Sequence, residues 1–574
     1  MTKPRLFAFT LAVFALAVIA CAPARVIAEE AAQAQEDLPA AALDPETLYD
    51  ILLGEIAGQR GQIAVAAATL SKAAQRTRDP RLAERATLAA LYAKRYPEAL
   101  RGAQLWVELR PKDVEAHEAM ATALLELDRR EEALRYFERI IALEAERNNL
   151  DQGYLRVSAA LARQSNRATT IEIMRTLVRA HPSSAAAHLY MAHLAVRAGE
   201  LEVAATSADE ALKLQPDWEE AALFRARILI SQKDPLKAQE SFETFLARNP
   251  AAANIRLNYA RFLVDQKQWE GAREQFKRVL ADVPDDADAA FAVGMLSLQI
   301  NRLDEAEKYL KRALDLRPQN DQARLYIGQV LEQQKRYREA GQWYAQVSPG
   351  EYYFETQTRI GLILAKQGDL AAARKHLQSI QPESDQQRVQ LALAEEQLLR
   401  EAKLHREAFE ILNAAERAVP GDKDLLYARA LIAEKLNLLD VAERDLREIL
   451  KKDPKNVNAL NALGFTLADR TTRYQEAYEL LQQALALKPE DPFILDSFGW
   501  VQYRLGNQAE ALKHLKRALE LRNDAEISAH LGEVLWVTGN RNEAESVWNR
   551  ALNLTPDSET LLGVINKFRE KSKE

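Results

Sequence analysis

The chain has 574 residues, of which 77 are basic and 84 are acidic. A formal net charge of −7 gives no dense basic face of the kind that nucleic-acid binding requires, so nucleic acid is excluded as a partner. With a single cysteine the chain can form no intramolecular disulfide and no multi-cysteine zinc site, so packing alone must hold the fold.

The N-terminus has the pattern of an export signal. Lys3 and Arg5 precede an apolar run from Leu6 to Ala20, which is too short to span a bilayer comfortably. The run ends in Val18-Ile19-Ala20-Cys21, which resembles a bacterial lipobox. The resemblance implies a signal peptide over residues 1–20 and lipidation of Cys21. The alternative is an ordinary secretory signal followed by a cysteine that is there by chance.

The residue after the cysteine bears on the membrane to which the lipid goes. It is Ala22, whereas the usual retention signal for the inner membrane is Asp. The resemblance therefore implies a lipid in the inner leaflet of the outer membrane, with the body of the protein in the periplasm. Residues 21–46 are rich in Ala, Glu and Gln and show no sustained apolar period, which predicts a flexible tether. The membrane contact is expected through the lipid alone.

A 34-residue period follows the tether. It is visible in evenly spaced prolines: Pro182, Pro216, Pro250, Pro284 and Pro318. When the proline is numbered as the thirty-second place of each repeat, small residues occupy the eighth place and alanine the twentieth. Examples at the eighth place are Gly294, Gly328, Gly464, Gly499 and Gly532, and examples at the twentieth are Ala272, Ala306, Ala477, Ala511 and Ala544. A fixed period of this length indicates stacked supersecondary units.

Each repeat predicts a helical hairpin. Two antiparallel helices can cross tightly where the crossing residues carry almost no side chain. Gly199, Asn301 and Asn437 stand at the fifteenth place, and both residue types tolerate the left-handed conformation that ends a helix. The proline ends the second helix, because the residue before it is pushed out of the helical region.

This pattern resembles the tetratricopeptide repeat. The resemblance implies an all-α, right-handed superhelical solenoid of about fifteen helical hairpins over residues 47–558, with a C-terminal capping helix and tail at residues 559–574. The period slips between Pro318 and Pro420, around Ser348-Pro349-Gly350 and Gln381-Pro382. That slip predicts either a change in the pitch of the superhelix or a division into separately moving halves.

Motifs for catalysis are missing from the sequence. It contains no Walker-type phosphate loop, no G-x-G-x-x-G entering a helix and no G-x-S-x-G elbow. No two of the eight histidines are spaced three or four residues apart, so no helix presents a two-histidine metal face. We therefore expect a protein that is not an enzyme, with no catalytic residues, metal, cofactor or small-molecule substrate.

The tetratricopeptide resemblance implies a concave groove, which the first helix of each hairpin lines through its second, fifth, ninth and twelfth places. These places predict a protein-binding surface formed by Asp496, Trp500, Tyr503, Glu533 and Trp536 near the C-terminus, and by Leu257, Arg261, Phe291 and Met295 earlier. Large aromatic side chains are common anchors of protein interfaces. The alternative is that Trp500 and Trp536 pack against the neighbouring hairpin as core residues.

A narrower resemblance comes from the last repeats, which read Ile494-Leu495-Asp496-Ser497-Phe498-Gly499-Trp500 and His530-Leu531-Gly532-Glu533-Val534-Leu535-Trp536. They resemble long outer-membrane tetratricopeptide lipoproteins of pseudomonads, which include the adaptor of a periplasmic carboxyl-terminal processing protease. The resemblance implies protein partners, namely such a protease and the peptidoglycan cross-link hydrolases it degrades. Two alternatives stay open, a scaffold for assembling a secretin, pilus or exopolysaccharide exporter, and an activator of a peptidoglycan synthase.

Overall fold

A computed structural model describes residues 44–571 of the chain. All thirty-one elements in this range are α-helices, and it contains no strand. None of these helices is long and apolar enough to cross a membrane. The predicted signal peptide, the lipidation site Cys21, the tether up to residue 43 and the tail from residue 572 lie outside the described residues.

The helices belong to two compact units, which divide between Gln268 and Trp269. Unit 1 contains thirteen helices: α1 Pro45–Gln59, α2 Ile63–Thr77, α3 Pro80–Tyr92, α4 Tyr96–Leu109, α5 Val114–Glu126, α6 Arg130–Glu146, α7 Leu150–Ala162, α8 Arg167–Ala180, α9 Ala185–Ala198, α10 Leu201–Leu214, α11 Glu219–Ser231, α12 Pro235–Arg248 and α13 Ala253–Asp265. The first helix begins two residues before the predicted start of the repeats, because the carboxylate of Asp44 accepts a hydrogen bond from the backbone N–H of Thr47 at 2.8 Å and caps it.

Unit 2 contains the remaining helices: α14 Trp269–Asp282, α15 Ala287–Gln299, α16 Leu303–Leu316, α17 Asp321–Gln333, α18 Tyr337–Tyr344, α19 Tyr353–Lys366, α20 Leu370–Ser379, α21 Asp385–Glu401, α22 His405–Ala418, α23 Lys423–Lys435, α24 Leu439–Lys452, α25 Val457–Arg470, α26 Tyr474–Leu487, α27 Pro492–Arg504, α28 Gln508–Leu521, α29 Ala525–Val537, α30 Arg541–Leu554 and α31 Glu559–Lys571. The division between the units falls between α13 and α14, which the sequence pairs as one hairpin. The irregular stretch from Pro318 to Pro420 lies within unit 2 and does not divide the chain.

Within each unit the first and second helices of a repeat pack as an antiparallel hairpin, and the prediction of an all-α fold of tetratricopeptide-type hairpins is confirmed. The substantial helix contacts of each unit join helices that are one or two apart in the chain. An exception in unit 2 is the ion pair between Lys403 Nζ and Glu559 Oε1, 2.5 Å apart, which joins residues 156 positions apart. The fold is therefore built almost wholly from local contacts.

The small residue at the eighth place makes room for a large side chain sixteen or seventeen residues later. A Cβ added to Gly294 would lie 2.6 Å from Cγ of Leu310, and one added to Gly499 would lie 2.7 Å from Cγ of Leu515. At Gly532 the added atom would meet the indole of Trp548. The close approach predicted from the sequence is therefore that of one backbone to a large side chain of the other helix.

The predicted turn residues have the expected conformation. Gly199 and Gly539 have φ of 83° and 88°, and Asn301 and Asn437 have φ of 59° and 61°. Lysines take the same left-handed conformation at the same point of other hairpins: Lys233, Lys267, Lys335 and Lys403. A side chain with a Cβ is strained there by about 1–2 kcal/mol, so hairpin packing imposes the turn where the local sequence does not favour it.

The slip of the period corresponds to shortened second helices. Helix α18 has 8 residues and α20 has 10, whereas α16 and α24 each have 14. Pro349 and Pro382 follow the two short helices, and proline removes a backbone donor and keeps the preceding residue out of the helix.

The first hairpin leaves its stacking face uncovered by the described residues. Tyr49, Leu52 and Ile56 stand at the third, sixth and tenth places of α1 and are 63%, 52% and 47% exposed. At the third and tenth places of α29, Ile527 and Val534 are 0% exposed, because the preceding hairpin packs on them. At the other end, Leu561, Ile565 and Phe568 of α31 pack against the last hairpin.

Candidate protein-binding surfaces

The predicted C-terminal groove residues come from three consecutive first helices and from α31. Successive first helices touch each other along one face, as α25 does α27 and α27 does α29. The C-terminal surface is defined here as Asp496, Trp500, Tyr503, Glu533 and Trp536. The structure brings all five to that face of unit 2.

Trp500 is buried, with 6% of its surface exposed. Its indole ring stacks on the imidazole of His530 with centroids 4.3 Å apart, and its Nε1–H donates a hydrogen bond to Asp469 Oδ1 at 3.2 Å. Tyr503 is half-buried beside it, with the ring centroids 5.3 Å apart. Trp500 therefore ties three first helices together.

Asp496 is likewise buried and is paired with His530 of the next hairpin. The imidazole Nδ1 lies 3.0 Å from both carboxylate oxygens. Burial acts against the charged imidazole, but the neighbouring carboxylate outweighs it and raises the pKa of His530 to about 9. Glu526 lies near this pair, and burial followed by the charge of Asp496 raises its carboxyl pKa above the ordinary value.

The other two residues of the C-terminal surface are held by α31. Glu533 is 6% exposed and accepts a hydrogen bond from Lys567 Nζ at 3.0 Å. Trp536 is half-buried, with ring centroids 5.6 Å from Trp548 and 6.2 Å from Phe568. In the chain alone, both tryptophans thus pack against neighbouring helices, as the core interpretation has it. Contact of either one with a partner stays a prediction.

The earlier predicted residues do not share one surface. Leu257 and Arg261 lie on α13 in unit 1, whereas Phe291 and Met295 lie on α15 in unit 2. Phe291 is half-buried with its ring 6.0 Å from that of Tyr326, and Met295 packs against the same cluster. The stretch that the sequence presents as continuous is therefore divided between the two units.

Sequence reasoning missed residues on the same face of unit 1. His193 of α9 stacks on Phe224 of α11 with ring centroids 3.8 Å apart, and Arg227 lies close enough to affect its charge. His193 and Arg227 stand at the ninth place of their repeats, as Arg261 does. Following the ninth place through every repeat would have found them.

Groups that could hold a metal do not occur among residues 44–571: no three His, Cys, Asp or Glu side chains there are arranged around one point. Stacked hairpins whose first helices form a continuous face define a protein of the interaction-scaffold class. The chain belongs to the tetratricopeptide-repeat family, whose models match residues 158–217, 189–238, 291–350, 427–492 and 497–559, and residues 229–295.

A curated relative is similar over most of its length. The chain is 41% identical over 494 residues to TPR repeat-containing protein PA4667 of Pseudomonas aeruginosa, which covers 85% of this chain and 82% of that protein. A solved tetratricopeptide repeat protein from Parabacteroides merdae matches 49% of this chain and 97% of its own at 16% identity, with a TM-score of 0.33. The APC/C hetero-tetramer Cut9-Hcn1 matches 86% and 97% at 15% identity, with a TM-score of 0.30. Tetratricopeptide repeats mediate protein–protein interaction, and this chain is a protein-interaction scaffold.

Proposed function

We propose that this protein is a non-enzymatic adaptor that holds two protein partners at once. One is a periplasmic carboxyl-terminal processing protease, and the other is a protein that the protease degrades, such as a peptidoglycan cross-link hydrolase. The last repeats, around Trp500 and Trp536, resemble lipoproteins that include such an adaptor, and this resemblance supports the choice of partners.

The observation that carries the proposal is the presence of two compact units whose first-helix faces differ in chemistry. In unit 2, the face around Asp496 and Trp500 is aromatic and its buried charges are paired. In unit 1, the face around Arg227 and Arg261 is basic and apolar. Two faces of different chemistry suit two different partners better than two copies of one.

The proposal includes a lipid at Cys21 that keeps the body at the outer membrane. Residues 22–43 would let the body move roughly 25 Å from the surface as a flexible chain. Tethering and bridging both raise the local concentration of the partners, since the second binding step becomes intramolecular. Neither contributes to the chemistry of peptide-bond cleavage, which belongs to the protease.

The test is a cleavage assay with purified protease and substrate, with and without the chain lacking residues 1–21. Cleavage should accelerate as the adaptor is added and slow again at large excess, when protease and substrate occupy different copies. Trp500→Ala and Trp536→Ala should each weaken the acceleration in proportion to the lost affinity. A soluble form that binds no protease, or that leaves cleavage unchanged at every concentration, would count against the adaptor and favour an assembly scaffold.

A further inference from the structure

Two arginines on the first-helix face of unit 1 have no counter-charge. Arg227 of α11 and Arg261 of α13 are 34 residues apart, and both side chains are exposed. Within residues 44–571 neither forms an ion pair or a side-chain hydrogen bond. Elsewhere in unit 1 arginines are often paired, as Arg85 is with Glu55 and Arg225 with Asp209.

The helices around them carry few acidic residues. Helix α9 has none, and α11 has only Glu219 and Glu220, in its first turn. Glu220 is seven residues before Arg227, which is about 10 Å along the helix axis. In α13 the only acid is Asp265, which stands four residues after Arg261 but forms no ion pair with it. The two guanidinium groups therefore keep most of their positive potential.

The surface between the arginines is apolar. Ile230, at the twelfth place of α11, is 44% exposed, and Leu223, Leu257 and Val264 are half-buried on the same face. His193 extends the row by one hairpin but adds no charge. Burial, and then the nearby Arg227, lower its pKa to about 4.

We propose that this surface binds an extended polypeptide segment in which acidic residues recur at every third position between apolar ones. Packed helices lie about 8–10 Å apart, which sets the distance between the ninth places of neighbouring hairpins. A polyproline II segment rises about 3.1 Å per residue with three residues per turn, so every third side chain returns to one face after about 9 Å. Its carboxylates then meet Arg227 and Arg261 in turn, and its apolar residues meet Leu223, Leu257 and Ile230.

This inference rests on the proposed function in one respect, namely that the first-helix faces bind protein. It adds the chemistry of one partner segment. Arginine suits carboxylates because its planar guanidinium presents a fork of donors to both oxygens. Because the ion pairs are at the surface, their contribution should fall as salt is added.

The experiment uses the full chain in detergent and a fluorescent peptide of repeated Glu-Leu-Pro, with repeated Ser-Leu-Pro and Lys-Leu-Pro as comparison peptides. Anisotropy should show binding of the Glu peptide that weakens with salt, and at least tenfold weaker binding of the other two. The variant carrying both Arg227→Glu and Arg261→Glu should bind the Glu peptide at least tenfold more weakly than the parent chain.

A matched control is available on the second helices of the same unit. Arg101 of α4 and Arg135 of α6 are also exposed, unpaired within the described range and 34 residues apart. The variant carrying Arg101→Glu and Arg135→Glu has the same net charge as the test variant and should keep the affinity of the parent. Circular dichroism should show equal helical content in both variants.

Equal affinity of the two variants, or equal affinity of the parent for the Glu and Ser peptides, would overturn the inference. The protease assay reports separately on the proposed function. Loss of acceleration there with intact Glu-peptide binding would refute the adaptor while leaving this surface in place. Loss of Glu-peptide selectivity with intact acceleration would do the reverse.

Discussion

The imidazole Nδ1 of His530 lies 3.0 Å from both carboxylate oxygens of Asp496, and both side chains are 8% exposed. The pair joins α27 to α29, and the ring of Trp500 stacks on the imidazole. Removing one partner would leave the other charge buried and uncompensated, which is destabilising. The C-terminal hairpins are thus held together by a charged contact as well as by apolar packing.

This pair predicts a loss of stability at alkaline pH. The pKa of His530 is raised from 6.5 to about 9 in the folded protein, so its stabilising effect is complete below about pH 6.5 and disappears as the pH rises through about 9. The free energy involved is on the order of 2–3 kcal/mol. Thermal unfolding at pH 6.5 and pH 9.5 should show a larger drop in Tm for the parent chain than for His530→Gln. Identical drops would show that the pair does not titrate in this window.

A second prediction concerns the small residue at the helix crossing. Gly532→Ala should destabilise α29 and α30, because the added Cβ meets the buried indole of Trp548. Overpacking of this kind costs typically 1–3 kcal/mol. Gly341→Ala is the control, since nothing lies within 4 Å of its added Cβ and alanine favours a helix. Hydrogen exchange should accelerate in α29 and α30 for the first variant only; equal exchange in both would disprove the assignment of the crossing.

The uncovered face of α1 predicts unequal effects of one substitution at equivalent places. Val534→Lys puts an ammonium group into a fully buried site between hairpins and should cause local unfolding of α29. Ile56→Lys stands at the same tenth place of α1, where the side chain is 47% exposed, and should change stability by less than about 1 kcal/mol. Urea denaturation followed by circular dichroism measures both. Similar losses would mean that α1 is covered in solution.

A further prediction concerns the proposed anchor at Cys21. Cys21→Ala removes the thiol that would be acylated, so the protein should leave the membrane fraction. Cys21→Ser serves as a second variant of nearly equal size that also lacks the thiol. Fractionation followed by immunoblotting measures the distribution, and membrane association of both variants in high salt would contradict the anchor.

Much of the fold could be predicted because its determinants are local. Gly532 needs to be small wherever a large residue follows sixteen positions later, and Asn301 needs a left-handed conformation whatever the neighbours are. Period and residue type are enough to recognise both. Lys233 and Lys403 could not be recognised in this way, since hairpin packing imposes the left-handed turn on a residue that does not favour it.

The surfaces were harder to predict, because exposure depends on the neighbouring hairpin. Trp500 looks like an anchor in the sequence, yet His530 from the next repeat covers it. Arg227 looks unremarkable until its lack of a counter-charge is known, which is a property of the whole surroundings. The division at Gln268 leaves no mark in the period, which continues through Pro250 and Pro284.

The local character of the helix contacts has a consequence for how such a chain can change in evolution. Deleting a single residue inside a second helix turns every later side chain of that helix by about 100° and moves the core alanine out of place. Deleting 34 residues from one proline to the next, such as Pro216 to Pro250, rejoins equivalent places and leaves the remaining interfaces chemically matched. Length should therefore vary among relatives in whole repeats, and genetic drift in this chain should favour large steps over small ones.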